Sequence, residues 1–296
     1  MAQQHHAIGL EAIVKKGWWK AHQWLILRRF SQLGILGLFL LGPVFGLWVV
    51  KGNLASSLTL NVLPLTDPYV LLQTIAAGAM PLSTAIIGAV IVTVFYIFVG
   101  GRSYCSWVCP VNIVTDAASW LRRKLGIKGS GSVIDKNVRY WLLAVTFIVA
   151  FATQSVAWEL INPVSILHRG IIFSIGMGWS VILFIFFFDL LVSNRAWCGR
   201  LCPVGAFYSV IGTVSQLRIT ADNREACNDC MDCFQVCPEP QVIRPALKGS
   251  GNPVITSANC TNCARCIDVC SEDVFHISSR YADKIITKNR SPEAQS

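Results

Sequence analysis

With 296 residues, of which 53% are hydrophobic and only 14% charged, and a mean hydropathy of +0.52, the chain is too apolar for an average soluble domain and has the composition of a membrane protein. Its formal charge of +9 does not indicate nucleic acid, because the basic residues flank apolar runs, where orientation in a bilayer accounts for them. Twelve cysteines would suit a disulfide framework only in a short secreted domain; eight of these are spaced as thiolate ligands and call for a reducing compartment.

Residues 1–29 are polar and basic, with Lys15, Lys16, Lys20, Arg28 and Arg29 beside Trp18, Trp19 and Trp24, as interfacial anchoring requires. His5 and His6 read as incidental. Phe30 to Val50 carries no charge over 21 residues, enough for a helix to cross roughly 30 Å of hydrocarbon. It exceeds a signal-peptide core and no small-x-small site follows, so it reads as an uncleaved first span. Pro81–Gly101, Tyr140–Trp158 and Gly170–Phe188 read as three more. Four spans leave both termini on one side. The N-terminal segment, the 102–139 loop and the segment after the fourth span hold fifteen Lys and Arg, against Lys51 and Arg169 in the two outer loops. That asymmetry makes the termini cytoplasmic, in agreement with the cysteines.

The spans form two tandem repeats. Arg102-Ser-Tyr-Cys105-Ser-Trp-Val-Cys109-Pro110-Val111 matches Arg195-Ala-Trp-Cys198-Gly-Arg-Leu-Cys202-Pro203-Val204 at a shift of 93 residues, and Asp67-Pro68 matches Asn162-Pro163 at a shift of 95. Two spans per repeat preserve direction, which predicts a pseudo-two-fold axis along the membrane normal. Helix-compatible stretches follow each proline, Val111–Leu125 and Val204–Leu217, placing Cys109 and Cys202 at helix N-termini. There the dipole, with Arg102 and Arg195 nearby, favours thiolate. Cys105, Cys109, Cys198 and Cys202 are thus candidates for a redox-active thiol or soft-metal site, or are interface cysteines without reactivity. Asp67, Gln73, Glu159, His168 and Arg169 are expected at the outer ends of spans. A quinol headgroup there needs hydrogen-bond partners and a proton acceptor, and His168, equivalent to Gln73 in the other repeat, is the candidate. Asp189 is expected to pair with Arg195.

The C-terminal part carries Cys227-x2-Cys230-x2-Cys233-x3-Cys237-Pro238 and, 22 residues later, Cys260-x2-Cys263-x2-Cys266-x3-Cys270. In the bacterial ferredoxin run three close thiolates hold one cubane and the fourth crosses to the other. One cluster therefore takes Cys227, Cys230, Cys233 and Cys270, and the second takes Cys260, Cys263, Cys266 and Cys237. Two CxxC knuckles also suit a zinc ribbon, which leaves the third and fourth cysteines of each half unexplained. Ser271 stands where a second Cys-Pro would be; proline shapes the turn and is not a ligand.

These parts give a membrane all-α four-helix bundle of two tandem repeats with a small α+β 2[4Fe-4S] ferredoxin-like domain. The segments are 1–29 (cytoplasmic), 30–218 (membrane), 219–282 (ferredoxin-type) and 283–296 (tail). Through Pro-Leu-Thr-Asp67-Pro-Tyr, Cys105-Ser-Trp-Val-Cys109-Pro-Val-Asn, Ile161-Asn-Pro-Val-Ser-Ile-Leu-His168-Arg-Gly, Trp197-Cys-Gly-Arg-Leu-Cys202-Pro-Val-Gly-Ala-Phe and both cluster runs, nearly the whole chain resembles the NapH family of ferredoxin-type membrane proteins. The resemblance implies a quinol dehydrogenase component of the bacterial inner membrane. It would work with a NapG-type periplasmic ferredoxin subunit and a membrane-anchored cytochrome c towards periplasmic nitrate reductase. The rival reading is a maturation or regulatory factor without quinol chemistry.

Overall fold

The computed structural model describes residues 8–127, 134–173, 177–249 and 251–282; the expected tail 283–296, with His5 and His6, lies outside them. The chain divides into two compact units. One comprises Met1–Phe30, Tyr96–Trp107 and Ile211–Ser296, and the other Ser31–Phe95 and Val108–Val210.

Helix α1 (Leu10–Lys16) is parted from α2 (Trp18–Phe45) by Gly17, whose φ of 81° suits glycine best. At 28 residues α2 is about 42 Å long. Among the described residues it is the one helix long and apolar enough to cross a membrane. The expected first span, Phe30–Val50, is therefore displaced. The basic, Trp-rich stretch before it is already helical, and Gly46 at φ 72° ends the helix just after Pro43.

Strands β1 (Val50–Gly52), β2 (Ser56–Thr59) and β3 (Leu63–Thr66) then form an antiparallel meander, with Lys51 opposite Leu58 and Leu58 opposite Pro64. An all-α expectation for the membrane part has no place for it. Asn53 makes the first turn by accepting the N–H groups of Ala55 and Ser56, both at 2.9 Å. Leu60 and Asn61, both at positive φ, make the second; leucine rarely takes that conformation, so no turn signal shows in the sequence.

The duplication is visible element by element. Helix α3 (Pro68–Ala76), α4 (Ser83–Val99), α5 (Ser103–Trp107) and α6 (Val111–Lys124) form the first series. After α7 (Val138–Thr153) and α8 (Ala157–Ile161), the second consists of α9 (Pro163–Phe173), α10 (Met177–Leu191), a π-turn (Trp197–Leu201) and α11 (Pro203–Gly212). Asp67 caps α3 by accepting the Tyr69 N–H at 3.0 Å, and Asn162 caps α9 by accepting the Val164 N–H at 3.1 Å. α4, α7 and α10 are apolar but have only 17, 16 and 15 residues.

Two expectations change here. Gly170–Phe188 is not one span, because a Cβ at Gly178 would lie 3.1 Å from the Ile166 carbonyl and 3.3 Å from Gly170 Cα: α10 folds back along α9. Nor does the first Asx-Pro turn sit beyond the end of its span. The first third of α4 closes on it at Gly88, whose Cβ would meet Thr66, and the Tyr208 hydroxyl of α11 donates to Asp67 at 3.2 Å. In the second repeat Val164 packs with Val111 and with Ile185, midway along α10. Each Asx-Pro turn re-enters towards the middle of its own helix hairpin.

In the other unit β4 (Leu217–Thr220) pairs antiparallel with β5 (His276–Ser279), while α12 (Asp232–Val236), α13 (Ile243–Lys248) and α14 (Arg265–Val269) complete an α+β fold. Its core joins Ile219, Val242, Ile243, Ala246, Leu247, Ile255, Val274 and Phe275 to the cysteines. A fully buried Phe275 or Ile243 contributes about 1.5–3 kcal/mol. The stretch expected to stay helical from Val204 to Leu217 stops at Gly212, whose carbonyl accepts from Ser215 Oγ and the Arg218 guanidinium, and Leu217 opens the strand.

Candidate functional site: two cysteine-lined cavities

The two cysteine runs share left-handed positions and a following short helix at a shift of 33 residues. Asp229 and Met231 take φ of 59° and 65°; their counterparts Asn262 and Ala264 take 45° and 56°. These left-handed residues curl each loop so that three thiols point inward, and α12 and α14 then carry the third cysteine of each run and lead to the fourth. The fourth crosses over. Cys227, Cys230, Cys233 and Cys270 line one cavity. Cys237, Cys260, Cys263 and Cys266 line a second. Among the described residues no three Cys, His, Asp or Glu side chains converge on an ion-sized point; the thiols stand around a space.

That donor set fits an iron-sulfur cluster. Burial, then the neighbouring thiols Cys270, Cys230 and Cys227, push Cys233 up to about 12, and burial with the other thiols of its quartet pushes Cys266 well above the ordinary thiol range. Four sulfurs that oppose one another's ionisation become thiolates when cationic irons sit among them. Cys263 differs: burial alone would raise it, but the Arg265 and Arg28 guanidiniums and the Thr261 hydroxyl bring it below the ordinary value.

The second cavity is built against the segment that carries the first Cys-x3-Cys-Pro motif. Ser106 Oγ donates to the Thr261 carbonyl at 2.7 Å, and Trp107 Nε1 to the Asn262 carbonyl at 3.0 Å. Asn262 Nδ2 donates to the carbonyls of Val99 and Leu217. Arg102, expected to act on the cysteines of its own motif, reaches Glu239 Oε1 at 3.2 Å and the Asn259 carbonyl at 2.8 Å. The first cavity meets the N-terminus, where the Gly9 N–H donates to Asp232 at 2.7 Å.

The motif cysteines are half-buried. Cys105 lies in α5. The Cys109 carbonyl accepts Gln32 Nε2 at 3.2 Å and the Asn112 N–H at 3.3 Å, and the Cys202 carbonyl accepts the Ala206 N–H, so both residues stand at helix starts as expected. Cys198 lies 3.9 Å from Thr115 Oγ1. His168 is buried, its ring edge-on to Phe39 at 5.5 Å, and Gln73 is fully buried in α3. Arg169 is 3.9 Å from Glu159. Arg195 forms its ion pair with Asp116 at 3.2 Å, whereas Asp189 accepts the Trp197 N–H at 3.0 Å; the expected Asp189–Arg195 partnership is electrostatic, without a direct ion pair between them. Of the buried guanidiniums, Arg28 and Arg102 have other expected roles, as a membrane anchor and beside the motif cysteines, while Arg218 and Arg265 are not singled out from sequence. The one available signal was Arg265, inside the second cysteine run.

Comparison with known proteins agrees with both halves of this description. A family profile described as a 4Fe-4S binding domain matches residues 83–128 and again 175–220, and one described as a 4Fe-4S dicluster domain matches 218–271. The ferredoxin-type protein NapH of Escherichia coli is 48% identical over 95% of this chain and 98% of its own length. The chain belongs to the NapH/MauN ferredoxin-type family. NapH of Haemophilus influenzae is 45% identical over 95% of the chain and 98% of its own length, and the methylamine utilization ferredoxin-type protein MauN of Methylorubrum extorquens is 51% identical over 91% and 94%. No solved structure matches. As a member of this ferredoxin-type family the chain is an iron-sulfur electron-transport protein with 4Fe-4S binding domains.

Proposed function

We propose that this chain is a membrane-embedded electron-transfer subunit, the quinol dehydrogenase component of its system, which binds two [4Fe-4S] clusters and passes electrons from quinol to a partner protein. The observation that carries this reading is the pair of crossed cysteine quartets, each arranged around a cavity rather than a point. The ligand sets are Cys227, Cys230, Cys233, Cys270 and Cys260, Cys263, Cys266, Cys237. Bound there, each cluster supplies one-electron redox chemistry. The chain's own residues fix the thiols by the left-handed loop positions and tie the second cysteine loop to Ser106 and Trp107.

Membrane insertion rests on α2 and the shorter apolar helices, with the basic asymmetry favouring four spans, cytoplasmic termini and cytoplasmic clusters. Quinol supplies two protons as well as two electrons; His168 is the candidate acceptor at the membrane. Likeness to NapH favours a NapG-type periplasmic ferredoxin subunit, a membrane-anchored cytochrome c and nitrate reductase as the onward route. A second route, in methylamine utilisation, is favoured by the equally strong match to MauN. The four motif cysteines, Cys105, Cys109, Cys198 and Cys202, are assigned a redox role between membrane and clusters. The deciding experiment is iron analysis of the purified full-length protein followed by reduction with a quinol analogue under EPR. Eight irons and quinol-dependent cluster signals are expected; loaded clusters that stay oxidised would favour a maturation or regulatory role.

A further inference from the structure

The halves around the two cavities are alike in backbone and opposite in charge. Asp232 of the first run is replaced by Arg265 at the equivalent position of the second, and Asp229 by Asn262. Around the first cavity Asp229, Asp232, Glu272 and Glu11 outnumber Lys248 and Lys15, and the rim at Asn228, Asp229 and Met231 is exposed. Around the second, Arg28, Arg102, Arg218 and Arg265, none more than 6% exposed, outnumber Glu239 and Asp268. Arg218 is the informative one. It is 1% exposed and lies beside Cys260, yet its three hydrogen bonds all go to carbonyl oxygens, those of Ser215, Ser257 and Gly212, and no carboxylate among the described residues pairs with it. A buried guanidinium without a carboxylate is costly unless another negative charge faces it.

Resting on the crossed assignment above, we infer that Arg218, supported by Arg265, is the counter-charge of the cluster held by Cys237, Cys260, Cys263 and Cys266, and that this cluster is the first of the two to accept an electron. A reduced cubane bound by four thiolates carries one more negative charge than the oxidised form. Nearby buried positive charge stabilises that form, and the surplus of carboxylates at the other site opposes it. Burial by itself disfavours the more charged reduced state; the arginines offset that effect at the second site. In this role Arg218 is a positioning residue for charge and touches no reacting atom.

The test is an EPR-monitored redox titration of the full-length protein in detergent, with eight irons confirmed beforehand. Cys230→Ser identifies the first cluster's signal by its altered g-values. The wild type should show two midpoints, the higher belonging to the second cluster. Arg218→Gln should lower that midpoint alone, Arg218→Lys should restore most of it, and Asp232→Asn should raise the other. Arg265→Gln serves as the parallel variant if Arg218→Gln does not fold. Unchanged midpoints in fully loaded Arg218→Gln or Arg265→Gln protein, or a higher midpoint at the first cluster in the wild type, overturn the inference. Fewer than eight irons in the wild type instead overturns the two-cluster reading on which it rests.

Discussion

Arg102 and Glu239 form an ion pair in which each side chain is only 2% exposed, at the edge of the second cavity. Removing one partner leaves the other charge buried, so Arg102→Ala should cost about 3–5 kcal/mol, whereas an Arg102→Met/Glu239→Leu double variant should be close to neutral. Thermal unfolding of the loaded protein, with iron loss as a second readout, checks both. Asp67 offers a gentler case. Its carboxylate caps α3 and accepts the Tyr208 hydroxyl, but Asn162 performs the same capping in the other repeat with an amide. Asp67→Asn should therefore hold stability within about 0.5 kcal/mol, while Asp67→Ala should lose about 1 kcal/mol for the cap and more for the orphaned hydroxyl. Equal losses for both variants in a denaturation series would show that the carboxylate charge, not the cap, is what the fold uses there.

Among the elements, the junction after α4 is closely packed. Gly100 has φ 117° and its Cα faces the Asn262 amide, which is the group that ties the second cysteine loop to Val99 and Leu217. Gly100→Ala combines backbone strain of about 1–3 kcal/mol with a collision against that amide. The expected outcome is a perturbed EPR signal of the second cluster with the first unaffected; an unchanged spectrum would show that the loop is held by Ser106 and Trp107 alone. The fold-back of α10 on α9 has a similar origin. Gly178 permits the close approach, and hydropathy, which sees only an unbroken apolar run from Gly170 to Phe188, has no means of registering a hairpin inside it.

For the molecule as a whole, the proposed crossing of the fourth cysteines would make the two sites interdependent. Cys270→Ala should damage the site of Cys227, Cys230 and Cys233 and largely spare the other, and iron counting with EPR separates the two. Loss confined to the site of Cys260, Cys263 and Cys266 would contradict the crossing. A reporter fused after Glu293 should be active only in its cytoplasmic form, given the distribution of Lys and Arg; periplasmic activity would overturn the topology and the reducing-compartment reading together.

Sequence by itself determined what depends on local covalent spacing. The x2, x2, x3 pattern dictates which cysteines can share a site, the recurrence of Arg-x-aromatic-Cys-x3-Cys-Pro shows the duplication, and Asx-Pro marks two helix starts. These are legible because a ligand loop or a cap is made by residues a few positions apart. The tertiary structure alone decided the rest. The β1–β3 meander depends on Leu60 and Asn61 at positive φ, the re-entrant Asx-Pro turns on the fit of Gly88 against Thr66, and the partner of Arg195 on the approach of Asp116. The charge environment of the second cavity was least accessible. Arg28, Arg102, Arg218 and Arg265 come from segments more than a hundred residues apart in places, and Arg28 reads from sequence as a membrane anchor and Arg102 as a neighbour of its own motif cysteines. Burial converts them into a local field, and burial is a property of the packed chain rather than of any stretch within it.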